Sequence, residues 1–128
     1  MSQMKHQITA TFEGRYLQVL VARDRDFEYS TELWSEVAKA CREHKCFAVL
    51  LIADTTTPIP VMDGINLGQL FLESGITGEY QFAWVELNEN AFEAIRFLET
   101  VLINRYFNVQ LFSNEADAKQ WLLDGHNK

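Results

Sequence analysis

The side chains best suited to chemistry collect at the centre of the chain, where an apolar run ends at Asp54 and a Pro-bracketed segment leads to Asp63. Two carboxylates at this spacing could serve a metal ion or acid–base catalysis. No third ligand lies nearby in sequence, and a strand end and a helix cap explain the two aspartates. Glu86 and Glu89 flank another strand end, where solvation explains them. We therefore predict no metal site and no catalytic residue.

Hydroxyl groups form the second chemical feature of this segment: Thr55, Thr56 and Thr57. A threonine can accept phosphate, which adds about two negative charges. Threonine before proline in a loop also satisfies backbone groups and suits extended geometry. We favour this structural interpretation of the three threonines and keep a phosphorylation site among them as an alternative.

The histidines and cysteines are scattered, and none forms a catalytic pattern. His6, His44 and His126 fall at a predicted strand start, a helix end and the C-terminal tail. Cys41 and Cys46 have neither CxxC spacing nor the arrangement of a disulfide framework, so we expect small buried hydrophobes. Since no GxSxG, P-loop or GxGxxG motif occurs, we expect a protein without enzymatic activity and without a cofactor.

Composition and charge narrow the classes of partner. The 128 residues carry a net charge of −7 and are 48% hydrophobic, which indicates one globular domain. Nucleic acids and anionic membrane surfaces attract clustered Lys and Arg, so this chain is not expected to bind them. Its apolar runs are too short for a membrane span, and we expect a cytoplasmic, reduced protein.

The hydrophobic pattern predicts an α/β domain with the order β-β-α-β-α-β-α-β-α. Strands are predicted at residues 7–13, 16–22, 47–53, 80–86 and 107–112. The first two strands form an antiparallel hairpin, and helices between the later strands require parallel pairing. The first helix is predicted at 31–44 after an N-cap at Ser30, and the second begins near an N-cap at Asp63 and stops at Gly75. The third helix follows Asn88, and the fourth follows Ser113 or Asn114.

This element order resembles the STAS fold of bacterial anti-sigma-factor antagonists. The C-terminal third is similar to SpoIIAA-like, or STAS/SEC14-like, proteins: a long helix AFEAIRFLETVLINR, a strand NVQLF and a last helix in SNEADAKQWLL. The resemblance implies one STAS-like domain over residues 1–128, with an ordered core of about 6–124. It implies a five-stranded, mostly parallel sheet with four helices.

The resemblance also assigns a role to the central segment. In such antagonists an Asp-Ser-Ser/Thr-Gly-Leu-Gly motif opens a helix, and its second hydroxyl residue is phosphorylated to switch partner binding. Here Asp54 ends strand three, and Asp63 and Leu67–Gly68 match the motif. Three positions depart from it: Gly64 at the first Ser, Ile65 at the phosphoacceptor and Asn66 at the Gly. Because Ile65 has no hydroxyl, we expect the phosphorylation switch of that family to be absent.

Three hypotheses for function follow, in order of preference. The first is a non-enzymatic interaction module whose partner is a regulator or a second copy of the chain, giving a homodimer. Its contact surface would comprise residues 54–66, here called the elbow, with Asp54, Thr55, Thr56, Thr57, Ile59, Val61, Met62, Asp63, Gly64, Ile65 and Asn66 as contact residues. The second is a carrier of a small apolar ligand or lipid at the carboxyl edge of the sheet. The third is an enzyme that uses polar residues at the same edge.

Overall fold

A computed structural model describes residues 9–21, 27–55 and 62–124 of the chain. The strands are β1 (Thr9–Phe12), β2 (Leu17–Leu20), β3 (Ala48–Ala53), β4 (Gln81–Glu86) and β5 (Asn108–Phe112). The helices are α1 (Phe27–His44), α2 (Met62–Glu73), α3 (Phe92–Asn104) and α4 (Glu115–Asp124). A short 3₁₀ turn at Glu89–Ala91 leads into α3. The predicted element order and the α/β class are confirmed.

The five strands form one mixed sheet in the order β1-β2-β3-β4-β5. β1 pairs antiparallel with β2, and the remaining neighbours pair in parallel, as predicted. Leu20, Ile52, Val85 and Phe112 lie in one row across β2 to β5. This register brings the carboxyl ends of β3 and β4 together at one edge of the sheet.

The three crossover helices cover one face of the sheet, and α4 covers the other. Right-handed crossovers that always step to the next strand place their helices on the same side. On that face the aromatic rings of Trp34, Phe71 and Phe82 pack against one another, with ring centroids 4.8–5.8 Å apart. On the opposite face Ala118 and Leu122 of α4 are fully buried against aliphatic residues of β3 and β4. The core therefore has a larger layer with many aromatic residues under the crossover helices, and a smaller, mainly aliphatic layer under α4.

The three crossover helices end in the same hydrogen-bonded turn. After each of α1, α2 and α3, a backbone N–H two or three residues past the last helical residue donates to the carbonyl oxygen five residues before it. Phe107 N–H, for example, donates to Leu102 O at 3.0 Å. The residue before it has a left-handed backbone: Lys45 (φ 52°), Gly75 (φ 84°) and Tyr106 (φ 70°). Gly75 matches the predicted stop of α2. Lys45 and Tyr106 occupy a position that glycine adopts with less strain.

Two predicted helix starts were wrong by one to four residues. Helix α1 begins at Phe27, so Ser30 lies within it and is no N-cap. The apolar stripe extends back to Tyr29, which is fully buried. Helix α2 begins at Met62, so Asp63 is its second residue and no N-cap. An acidic residue there still lies near the positive end of the helix dipole.

Strand β1 differs from its prediction in burial. The alternation of apolar and polar residues over 7–13, with Ile8, Ala10 and Phe12 on one face, predicts a half-buried strand. All four residues of β1 are instead exposed. Because β1 lies at the edge of the sheet, its side chains lie outside the core. The buried residues of the sheet begin at β2. Phe12 instead stacks on His44 at the end of α1, with ring centroids 4.5 Å apart.

Candidate functional site

The carboxyl ends of β3 and β4 lie side by side and form part of the carboxyl edge of the sheet. The register pairs Ala53 with Glu86, so the residues after Ala53 and after Glu86 emerge next to each other. Leu87 N–H donates to Ala53 O at 2.8 Å, which extends the pairing one residue beyond β4. The elbow therefore leaves the sheet directly beside the turn into α3.

A buried carboxylate joins these two segments. Glu86 is only 2% exposed, although the sequence pattern favoured a solvated glutamate. Oε1 accepts from Thr55 Oγ1 at 2.6 Å and from Trp84 Nε1 at 3.2 Å. Oε2 accepts from the backbone N–H of Thr55 at 2.7 Å and of Asn88 at 3.2 Å. We call Glu86 and these three partners the Glu86 latch.

The second half of the latch runs through Asn88. Its Nδ2 donates to the carbonyl oxygen of Thr55. Its Oδ1 accepts from Asn90 N–H at 3.0 Å and so caps the 3₁₀ turn before α3. The prediction that Asn88 caps a helical segment is confirmed, with the 3₁₀ turn as the first part of that segment. One side chain thus holds the first residues of the elbow and starts the next helix.

The hydrogen bonds of the latch give Glu86 a structural role. A buried carboxylate is tolerated when several donors replace its water, and Glu86 has four. Thr55 is 1% exposed and directs its hydroxyl hydrogen at Glu86. A kinase acting on Thr55 would first have to open the latch. The buried Glu86 could not be found from the sequence, because nothing there distinguishes it from the exposed Glu89.

The structure describes residues 54–55 and 62–66 of the elbow. Asp54 is half-buried at the end of β3, and Thr55 belongs to the latch. Met62, Asp63, Gly64 and Ile65 form the first turn of α2, and Asn66 follows with its side chain exposed. The contact residues Thr56, Thr57, Ile59 and Val61 lie outside the described residues.

Exposed apolar side chains lie at the carboxyl ends of β2 and β4. Leu87, the residue between Glu86 and Asn88, is 57% exposed. Leu20, at the carboxyl end of β2, is 47% exposed, and its neighbour Ile52 is partly buried. Helix α4 packs on β3, β4 and β5. Single exposed apolar side chains are common on protein surfaces, so these two do not by themselves mark a binding site.

A small crevice lies between α3 and the sheet. Trp84, Leu98, Leu111 and Glu99 are among its lining residues, and its volume is about 10 Å³. That volume is near the lower limit for a single water molecule. The crevice therefore does not provide the apolar pocket that a lipid carrier needs.

Within residues 9–21, 27–55 and 62–124, no three His, Cys, Asp or Glu side chains lie close enough together to hold a metal ion. None of the helices in these ranges combines the length and hydrophobicity that crossing a membrane requires.

Comparison with known proteins finds no matching family model, no matching curated protein and no matching solved structure.

Proposed function

We propose that this chain is a non-enzymatic, STAS-like (SpoIIAA-like) interaction module that binds a protein partner through the elbow. The Glu86 latch carries the proposal. It fixes the elbow where it leaves β3, since the backbone N–H, hydroxyl and carbonyl of Thr55 are all hydrogen-bonded within the latch. Ordering a segment before it meets a partner lowers the entropic cost of binding, and the latch supplies such order at residues 54–55.

The order β-β-α-β-α-β-α-β-α and the sequential strand order support the STAS-like assignment. The Leu67–Gly68 pair lies in α2, and Gly68 gives room for the side chain of Arg105. A Cβ at Gly68 would lie 3.0 Å from Arg105 Cδ. Gly68 is thus explained by helix packing as well as by its match to the family motif.

The switch of the resembled family is not part of this proposal. Its phosphoacceptor position is occupied by Ile65, which lies in the first turn of α2. A phosphate at a helix N-terminus would be stabilised there, whereas an isoleucine offers apolar contact area instead. We infer that partner binding through this elbow is constitutive, or is controlled by the partner. A cytoplasmic, bacterial setting is part of the proposal through the same resemblance.

The test is affinity capture of tagged protein from cells of the source organism, comparing wild type with Ile65→Asp. Lys39→Asp is the matched control, since Lys39 is exposed on the outer side of α1, on a different part of the surface. We expect a defined partner with wild type and Lys39→Asp, and its loss with Ile65→Asp. Capture of the same proteins by all three forms, with each form folded by circular dichroism, would contradict the proposal.

A further inference from the structure

Asn88 and Asn114 both cap helical segments, but their amide groups are bonded differently. Asn114 Oδ1 accepts from Asp117 N–H at 2.8 Å, and its Nδ2 donates to the Asp117 carboxylate at 3.0 Å, so both bonds stay within the start of α4. Asn88 Oδ1 likewise accepts from Asn90 N–H at 3.0 Å, but its Nδ2 donates to the carbonyl oxygen of Thr55, 33 residues earlier. The cap before α3 is therefore bonded to a distant segment of the chain.

Side chains continue the connection between β3 and β4 where the backbone ladder ends. The bond from Leu87 N–H to Ala53 O is one residue past β4. Beyond it, Glu86 Oε2 accepts from the backbone N–H groups of both Thr55 and Asn88, at 2.7 and 3.2 Å. One carboxylate oxygen thus fixes the backbone of both segments.

Withdrawal of Thr55 breaks bonds on both sides of the latch. Thr55 donates its N–H and hydroxyl to Glu86, and its carbonyl oxygen accepts from Asn88. Without Thr55, Glu86 keeps the bonds from Trp84 Nε1 and Asn88 N–H at a site that is 2% exposed. The Asn88 amide loses the acceptor that orients it. Because a buried carboxylate that has lost donors is costly, a partly opened latch is disfavoured.

We propose that the Glu86 latch couples residues 54–55 to the start of α3, so that the two segments open and close as one cooperative unit. A change at Thr55 is thereby transmitted to the 3₁₀ turn Glu89–Ala91. Coupling of this kind is reciprocal, since whatever stabilises one segment stabilises the other. A partner that holds Thr55 in the latch therefore also stabilises the start of α3. That consequence rests on the proposed function, whereas the coupling is a property of the free chain.

The test is hydrogen exchange of single backbone amides, measured by NMR on Asn88→Ala with Asn114→Ala as the matched control. Both variants lose an asparagine cap, and Asn88→Ala also loses the bond to Thr55. We expect Asn88→Ala to speed exchange of Thr55 N–H roughly 2- to 10-fold, since one hydrogen bond is lost. Asn114→Ala should speed exchange of Asp117 N–H and leave Thr55 unchanged. Unchanged exchange at Thr55 in Asn88→Ala, or an equal rise in both variants, would contradict the coupling.

Thr55→Val tests transmission in the other direction. The variant keeps the branched shape of the side chain and removes the hydroxyl bond to Glu86. Asn90 N–H donates to Asn88 and not to Glu86, so faster exchange at Asn90 reports transmission through the latch. We expect a rise of roughly 2- to 10-fold at Asn90, above any change at Leu51 in β3, which reports global unfolding.

No rise at Asn90 in Thr55→Val, or a rise no larger than that at Leu51, would overturn the proposal. Neither exchange experiment contains a partner. Failure of the coupling is therefore a separate result from failure of the elbow to capture a partner.

Discussion

Removing the Glu86 carboxylate should destabilise the protein more than removing any other acidic side chain that the structure describes, because Glu86 is the only buried one of them. Glu86→Ala leaves the four donors of the latch without their acceptor at a site that is 2% exposed. Each unsatisfied buried donor costs about 1–3 kcal/mol. Water entering the space left by the side chain would satisfy some of the donors. We therefore expect a loss of about 3–5 kcal/mol in the free energy of unfolding.

Glu86→Gln separates the shape of the side chain from its charge. The glutamine oxygen can remain at the Oε2 position and accept from the backbone N–H groups of Thr55 and Asn88. Its NH₂ group then lies at Oε1, where the Thr55 hydroxyl can rotate and become an acceptor. Only Trp84 Nε1–H loses its partner, so the expected loss is about 1–2 kcal/mol.

Urea denaturation followed by circular dichroism measures both changes as shifts in the midpoint at unchanged slope. Glu79→Gln is the control, because Glu79 is exposed and precedes the same strand. We expect the urea midpoint to be lowest for Glu86→Ala, higher for Glu86→Gln and highest for Glu79→Gln. If Glu86→Ala were as stable as Glu79→Gln, the latch would not hold the elbow, and the physical basis of the proposed function would be lost.

Four smaller predictions follow from other parts of the fold. Burial raises the pKa of the Cys41 thiol to about 12; the unfolded thiol ionises near 9, so stability should fall as pH rises from 9 to 12, and Cys41→Ala should remove that slope in pH-dependent melts. A thiol reagent should modify Cys46 in the native protein and Cys41 only after unfolding, as counted by mass spectrometry. Tyr106→Gly and Lys45→Gly should each raise the free energy of unfolding by about 1 kcal/mol, because both residues have a left-handed backbone; an unchanged or lower value would refute this. Gly78→Ala should lower it by about 1–3 kcal/mol, since a Cβ there would lie 2.7 Å from the Tyr106 carbonyl oxygen.

Much of the fold could be predicted because its signals are local. The uniformly apolar residues of β3 marked a strand buried on both sides, and the helices between strands required parallel pairing. Asn114 as the cap of α4 is confirmed, since its Oδ1 accepts from Asp117 N–H at 2.8 Å. Cys41 is fully buried, as its place on the apolar stripe of α1 indicated.

The features that were missed depend on contacts between distant residues. Glu86 is buried because Thr55, 31 residues away, supplies two donors, and a sequence pattern around Glu86 carries no sign of them. Helix α1 starts early because Tyr29 is buried in the core, whereas capping signals favoured Ser30. Tertiary packing decided both cases against local preference.

The central claim is that the elbow contacts a protein, and photo-crosslinking tests it most directly. A photoreactive amino acid is placed at position 65 and, as a control, at position 39, and the protein is irradiated in cells of the source organism. We expect a discrete adduct from position 65 that contains a second, different protein, and none from position 39. No adduct at position 65, or the same adducts from both positions, would contradict the account.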